Sequence, residues 1–171
     1  MKGKIGGPRP ANTVAEKRET TSLYFAYGSN LHMDQMAARC PGSEPLSKCK
    51  LPDWRLVFRG VADIEPCHRD HVQGAIYVIT DECERALDRY EGWPRLYRKE
   101  YFMVRLASGV ETVMFYRMNN DKTISPPPAG YFEVIAEGFK HWGLEMRKLT
   151  QAARRAVKGR NGSVRTSWGA S

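Results

Sequence analysis

Residues Leu23 to Leu31 read Leu-Tyr-Phe-Ala-Tyr-Gly-Ser-Asn-Leu, an apolar run that passes into a turn of small residues. A helix-like segment, His32 to Arg39, follows and must stop before Pro41. The pattern predicts a strand, Leu23 to Tyr27, a tight turn and then a helix with Asn30 as its N-cap. Such a turn can direct several backbone N–H groups at one point, beside the positive end of the helix dipole. We therefore expect a site for a carboxylate or for the oxyanion of an acyl transfer.

Length and composition favour one globular domain of 171 residues, with 42% hydrophobic and 27% charged side chains. No apolar run reaches the roughly 18 residues of a membrane span, and the first 20 residues lack the apolar stretch of a signal peptide. The four cysteines form no CxxC pair, which is typical of reduced thiols. We expect a cytoplasmic protein that does not contact membranes.

The net charge of +8 is concentrated at the two ends of the chain. Residues 1–22 hold five Lys/Arg and two Glu, and residues 147–171 hold seven Lys/Arg and no acid. This predicts a disordered N-terminal tail (1–22), a slightly acidic folded domain (23–146) and a basic C-terminal extension (147–171), partly helical and then disordered. The extension offers an alternative function, binding of nucleic acid or an acidic partner. We do not expect nucleic acid, because aromatic residues are not interleaved with the basic ones before Trp168.

The remaining patterns alternate between strands and helices. Strands are predicted at 54–59, 72–79, 97–106 and 110–116, the last two as a hairpin, and helices at 81–91, 131–142 and 145–157. Asp81 and Glu84 have the spacing of a capping box. Most gaps between strands are too short for crossover helices. We therefore predict an α+β fold, with a mostly antiparallel or mixed sheet, or a small β-barrel, and flanking helices.

Glu91 lies in the last turn of the second predicted helix, which Gly92 ends. A carboxylate is disfavoured at the negative end of a helix, and Tyr90, Trp93 and Leu96 are close enough in sequence to reduce its hydration. Both effects raise the pKa of a Glu toward a value useful for proton transfer at neutral pH. The alternative is an ordinary solvated Glu at a helix end.

Three segments, in this order and spacing, resemble the gamma-glutamylcyclotransferase (AIG2-like) family. They are Tyr24 to Leu31, Tyr90-Glu91-Gly92, and the Pro-Pro-Pro-Ala-Gly-Tyr run from Pro126 to Tyr131. The resemblance covers about residues 23–146 and implies a small β-barrel with flanking helices. Family analogy also implies a homodimer.

The resemblance assigns roles to particular residues, with Glu91 as the catalytic acid/base. The implied substrate-binding residues are Tyr24, Phe25, Ala26, Tyr27, Gly28, Ser29, Asn30, Tyr97 and Tyr131. In the family reaction, the α-amine of a gamma-glutamyl amide attacks its own γ-carbonyl and releases 5-oxoproline and a free amine. Because the nucleophile is tethered, neither a metal, a cofactor nor a nucleophilic side chain is needed. The leaving group stays open between an amino acid, a polyamine, a carrier-bound thioester and an aminoglycoside-like amine.

Three other functions compete with this one. A catalytically inactive module on the same fold would bind a small molecule or a protein. Cys67, His68 and His71, with Cys40 and Cys49 upstream, are residue types that bind zinc, but their spacing is not paired. Ser29 as a nucleophile would need a base such as His32, and its surroundings do not match G-x-S-x-G.

Overall fold

The computed structural model describes residues 20–119 and 123–165, with the backbone alone for 160–165. Along these residues the elements are β1 (Thr21–Ala26), α1 (Met33–Arg39), β2 (Glu44–Phe58), β3 (Ala62–Thr80), α2 (Asp81–Glu91), β4 (Tyr97–Leu106), β5 (Gly109–Met118), α3 (Ala129–His141) and α4 (Met146–Arg165). A short 3-10 turn, Ser29–Leu31, joins β1 to α1. The predicted tail residues 1–19 and 166–171 lie outside the described residues.

The five strands form one sheet in the order β2-β3-β1-β5-β4. Neighbouring strands are antiparallel except β1 and β5, which run parallel where Leu23 faces Val113. The predicted α+β class with a mixed sheet and flanking helices is confirmed. Hydrogen bonds between the described strands do not close the sheet into a barrel. Helix α4 packs on the edge strand β2 instead, and Arg155 donates to the carbonyl of Leu56 there at 3.0 Å.

The predicted strands 54–59 and 72–79 are parts of the much longer strands β2 and β3. Sequence reasoning missed the first half of β2 because Pro45 and Pro52 interrupt its alternation, and register shifts follow both prolines. The predicted hairpin is confirmed as β4 and β5. Both C-terminal helices are also confirmed, although α4 extends to Arg165.

Two predicted helix caps are wrong. Thr80 is the N-cap of α2, since its hydroxyl accepts from the Cys83 N–H at 3.2 Å, which places Asp81 already inside the first turn. His32, and not Asn30, precedes α1, because Asn30 belongs to the 3-10 turn and its side chain points at Tyr24. Gly92 ends α2 in the left-handed conformation, with φ of 68°, as a C-terminal glycine does.

The core lies between the sheet and the helices, and α4 contributes to it. Leu149, Ala152 and Ala156 on α4 are buried in the same cluster as the central strands. Gly74 on β3 allows the ring of Phe25 to lie against the backbone, since an added Cβ would come within 2.5 Å of that ring. Within the described ranges, we find no helix that combines the length and the hydropathy of a bilayer span.

Candidate active site

A cavity of about 370 Å³ opens where β1 ends, between the 3-10 turn, the last turn of α2 and the start of α3. Tyrosines dominate its wall: Tyr24, Tyr27, Tyr90, Tyr97, Tyr116 and Tyr131. The other residues along it are Gly28, Ser29, Asn30, Val61, Ala62, Glu91, Leu96 and Met118. Among the described lining residues, Glu91 is the sole carboxylate. The wall therefore combines aromatic surface, one acid and a polar turn.

The turn and the acid, 61 positions apart in sequence, meet in this cavity. The Asn30 side-chain nitrogen donates to Glu91 Oε1 at 3.2 Å and to the Tyr24 hydroxyl oxygen at 2.8 Å. The second carboxyl oxygen, Oε2, has no donor among the described residues. One oxygen of Glu91 is thus oriented by the turn, while the other stays available to a bound molecule.

Burial raises the pKa of Glu91 to about 7, against the opposing effects of the Arg39 charge and the Asn30 hydrogen bond. No described cation forms an ion pair with this carboxyl. At neutral pH the group is therefore divided between its acid and base forms, which suits proton transfer in both directions.

Tyr90 and Leu96, two of the three neighbours expected from sequence to reduce the hydration of Glu91, line the cavity with it. The half-exposed Trp93 does not line the cavity, and the Lys99 ammonium lies 4.6 Å from its ring centre. Buried Tyr24, on β1, and the partly buried Tyr97, on β4, line the same cavity, and burial, followed by the Glu91 charge, raises the pKa of both phenols. The walls around the acid thus come both from residues close in sequence and from distant strands.

Arg39, at the end of α1, is the polar residue that sequence reasoning missed. Its Nη1 donates to Asn30 Oδ1 at 2.7 Å, and its Nη2 donates to the Tyr90 hydroxyl at 3.0 Å. The guanidinium carbon also lies 3.9 Å from the centre of the Tyr90 ring. Because Arg39 occupies the amide oxygen of Asn30, the amide NH₂ faces Glu91 and Tyr24. Its only sequence signal is the i, i+4 spacing to Gln35, to which it also donates.

The 3-10 turn supplies backbone donors, as the sequence predicts. Within residues 20–119 and 123–165, the N–H groups of Gly28, Ser29 and Asn30 donate to no other group, whereas the Leu31 N–H is used inside the turn at 3.0 Å. A Cβ on Gly28 would lie 3.2 Å from the Ala62 Cβ, so a side chain at this position would crowd Ala62. Three consecutive residues whose amides have no acceptor within the described ranges therefore line the cavity.

The tyrosine hydroxyls are neutral hydrogen-bonding groups. Tyr131 accepts from the Ala62 N–H at 3.2 Å, and burial raises its pKa to about 12. Tyr27 donates to the Tyr116 carbonyl at 2.6 Å, and burial raises the pKa of Tyr27 and Tyr97 as well. These phenols can orient a ligand but are poor bases at neutral pH.

Two of the residues predicted to bind substrate lie elsewhere. Phe25 and Ala26 are fully buried and do not line the cavity. The Phe25 ring packs edge-on against Phe102, with 5.5 Å between ring centres, on the side of β1 opposite Tyr24. The strand alternation that presents Tyr24 to the cavity thus places Phe25 in the core.

The residues of the serine-nucleophile and zinc hypotheses are not arranged as those two chemistries require. The Ser29 hydroxyl lies 3.1 Å from the Tyr90 hydroxyl, while His32 Nε2 lies 2.9 Å from Glu137, so no Ser–His pair forms between these residues. His68, from the zinc hypothesis, lies beside Asp53. No cluster of three or more His, Cys, Asp or Glu that could hold a metal occurs among the described residues.

The fold and cavity thus define an α+β protein with an acid facing a turn of free amides. The family model for gamma-glutamyl cyclotransferase, AIG2-like, matches residues 24–134. Gamma-glutamylcyclotransferase of Bos taurus is 30% identical over 155 residues, 81% of this chain and 82% of that protein. The Homo sapiens protein of that name is 30% identical over 142 residues, 75% of each chain. A solved gamma-glutamyl cyclotransferase structure has a TM-score of 0.69 at 26% identity, covering 78% of this chain and 86% of that one. This chain belongs to the gamma-glutamyl cyclotransferase, AIG2-like family.

Proposed function

We propose that this protein is a gamma-glutamylcyclotransferase, which converts a gamma-glutamyl amine or gamma-glutamyl amino acid to 5-oxoproline and the free amine. The observation that carries the proposal is the meeting of Glu91 with the Gly28–Asn30 turn in one cavity. A carboxyl with a pKa of about 7 and three amides without an acceptor are the groups that this acyl transfer requires. The family relationship supports the same activity.

The reaction needs a proton acceptor first and a proton donor later. Ionised Glu91 takes a proton from the substrate α-ammonium, and the freed amine attacks the γ-carbonyl carbon. A carbon–nitrogen bond forms in the five-membered ring, and Glu91 passes its proton to the leaving nitrogen as the original amide bond breaks. Glu91 then accepts the second proton, which the ring nitrogen loses as it becomes an amide, and gives it to the released amine. Atoms balance without water or any co-reactant, because the nucleophile belongs to the substrate.

The turn stabilises negative charge in this scheme. The amides of Gly28, Ser29 and Asn30 bind the oxyanion or the substrate α-carboxylate, and loss of one such donor costs about 3 kcal/mol of barrier. Tyr24 and Tyr27 form the wall beside the turn, while Tyr97 and Tyr131 enclose the glutamyl group. The tyrosines position the chain for ring closure, which needs a folded rather than an extended glutamyl group.

The proposal is tested by incubating the protein with gamma-glutamyl-alanine and measuring 5-oxoproline and alanine by chromatography. We expect the two products in equal amounts. The matched control is N-acetyl-gamma-glutamyl-alanine, whose blocked amine cannot attack and should give no product. Binding of gamma-glutamyl-alanine without release of 5-oxoproline would instead support the inactive binding module. The homodimer and the cytoplasmic location stay predictions.

A further inference from the structure

The mouth of the cavity is unusually apolar for an exposed surface. Val61, Tyr90 and Leu96 line the cavity and are 37%, 48% and 50% exposed, respectively. We call these three residues the apolar rim. They come from the β2–β3 turn, from α2 and from the segment after α2, so the fold and not one local sequence run brings them together. Apolar side chains gathered at one opening mark a surface that a ligand covers.

The charged groups around the cavity limit which substituents of a ligand can bind at the apolar rim. Among the described lining residues Glu91 is the sole acidic or basic side chain apart from the tyrosines, and the proposed reaction uses it. The nearest cation, Arg39, is engaged by Asn30, Gln35 and Tyr90 and does not line the cavity. A second positive charge on a ligand would therefore lose water at the rim without gaining a carboxylate.

The two ends of a gamma-glutamyl substrate match different parts of the cavity. The glutamyl end carries an α-carboxylate and an α-ammonium, which match the free amides of the Gly28–Asn30 turn and the carboxyl of Glu91. The leaving group must then point toward the exposed mouth. Resting on the proposed function, we infer that the leaving amine carries an apolar substituent that packs on the apolar rim, and not a second cation as in a polyamine or an aminoglycoside.

The substrates that test this inference differ in one terminal group. Gamma-glutamyl-n-hexylamine and gamma-glutamyl-cadaverine have the same length, but the first ends in a methyl group and the second in an ammonium. We expect kcat/KM for 5-oxoproline release to be about tenfold higher, or more, for the hexylamine compound, the size of effect that one apolar contact gives in a pocket. Equal values, or a preference for cadaverine, would overturn the inference.

Single-residue variants test whether the preference for the hexylamine compound depends on the apolar rim. Leu96→Ala should reduce the hexylamine-to-cadaverine ratio by about threefold or more, because it removes apolar contact area. The matched control is Leu46→Ala on β2, a leucine of similar exposure, 48%, that does not line the cavity, and its ratio should equal that of the unaltered protein. A ratio that Leu96→Ala leaves unchanged would also contradict the inference.

A second pair of variants tests the same preference if Leu96→Ala folds poorly. Val61→Ser should lower the ratio in the same way, and the half-exposed Val110→Ser, on β5, should not. Gamma-glutamyl-alanine serves as the common reference in all assays. Conversion of that compound without any preference for hexylamine defeats this inference alone, whereas no conversion of any substrate defeats the proposed function as well.

Discussion

Two carboxylates near the same cavity, Glu91 and Asp63, have opposite surroundings. Burial raises the pKa of both. Asp63 is nevertheless fully paired, since one oxygen accepts from Arg59 at 3.1 Å and the other from the Met118 N–H at 3.1 Å. Glu91 has one side-chain amide on one oxygen and a second oxygen with no donor among the described residues.

The difference shows what separates a structural acid from a reactive one. Asp63 joins β3 to β5 through Met118, and its partner Arg59 also binds Glu65 at 2.7 Å, which makes an ion network across the β2–β3 connection. Removing one carboxylate from such a network weakens the compensation of a buried charge. Glu91 is buried without that compensation, a pattern that clusters at functional sites.

The largest effect should come from Glu91→Gln. The amide keeps the shape of the side chain but cannot accept the substrate proton, so kcat should fall by about 10²- to 10⁴-fold. Release of 5-oxoproline from gamma-glutamyl-alanine measures it, and far-UV circular dichroism should be unchanged. A variant that turns over as fast as the unaltered protein would remove Glu91 from the mechanism.

Asp63→Asn should lower the stability and leave the catalytic rate nearly unchanged, the reverse of the effect of Glu91→Gln. It removes one of the carboxylates that Arg59 contacts while the Arg59–Glu65 ion pair remains, and we expect a loss of about 2 kcal/mol in the free energy of unfolding, measured by urea denaturation. The rate per folded molecule should stay within a few-fold of the unaltered protein. A variant of normal stability and no activity would make Asp63, too, part of the chemistry.

The pH dependence of stability separates the two acids. Glu91 has a folded-state pKa of about 7, above its ordinary value of 4.5, so folded protein retains a proton that unfolded chain releases between these values. Stability should therefore fall as pH rises from 4.5 to 7, by at most about 3 kcal/mol from this group. In Glu91→Gln this contribution is absent while that of Asp63 remains. Urea midpoints at pH 5 and pH 8 measure the difference, and parallel curves for both proteins would refute the shifted pKa.

Arg39 offers the smallest and most specific test. Arg39→Met removes the cation that lowers the Glu91 pKa, so the acidic limb of the kcat/KM profile should move to higher pH and the rate at pH 7 should fall several-fold. Arg39→Lys keeps the charge and should leave the limb nearer its original position, although the bidentate hold on Asn30 and Tyr90 is lost. Arg85→Met, at an exposed position on α2, is the control. A lower rate with an unmoved limb would restrict Arg39 to a structural role.

Local sequence patterns predict those parts of the site that depend on only a few neighbouring residues. The Gly28–Asn30 turn, the glycine stop after Glu91 and the hairpin all follow from spacing and turn chemistry, and each lies where it was expected. The substrate-binding role of Phe25 rests on the family resemblance and not on a local pattern, and the strand alternation that turns Tyr24 to the cavity places Phe25 in the core. The first half of β2 was missed because prolines mask a strand that β-bulges accommodate.

The sequence by itself determined the fold class and two parts of the site, the Gly28–Asn30 turn and Glu91. The reason is that hydrophobic periodicity, turn residues and an acid at a helix end are local properties of the chain. Only the tertiary structure decided that the acid is half-ionised near neutrality, that Arg39 sets the direction of the Asn30 amide, and that an apolar rim surrounds the mouth. These properties depend on desolvation and on contacts between residues far apart in the chain, which no local pattern encodes.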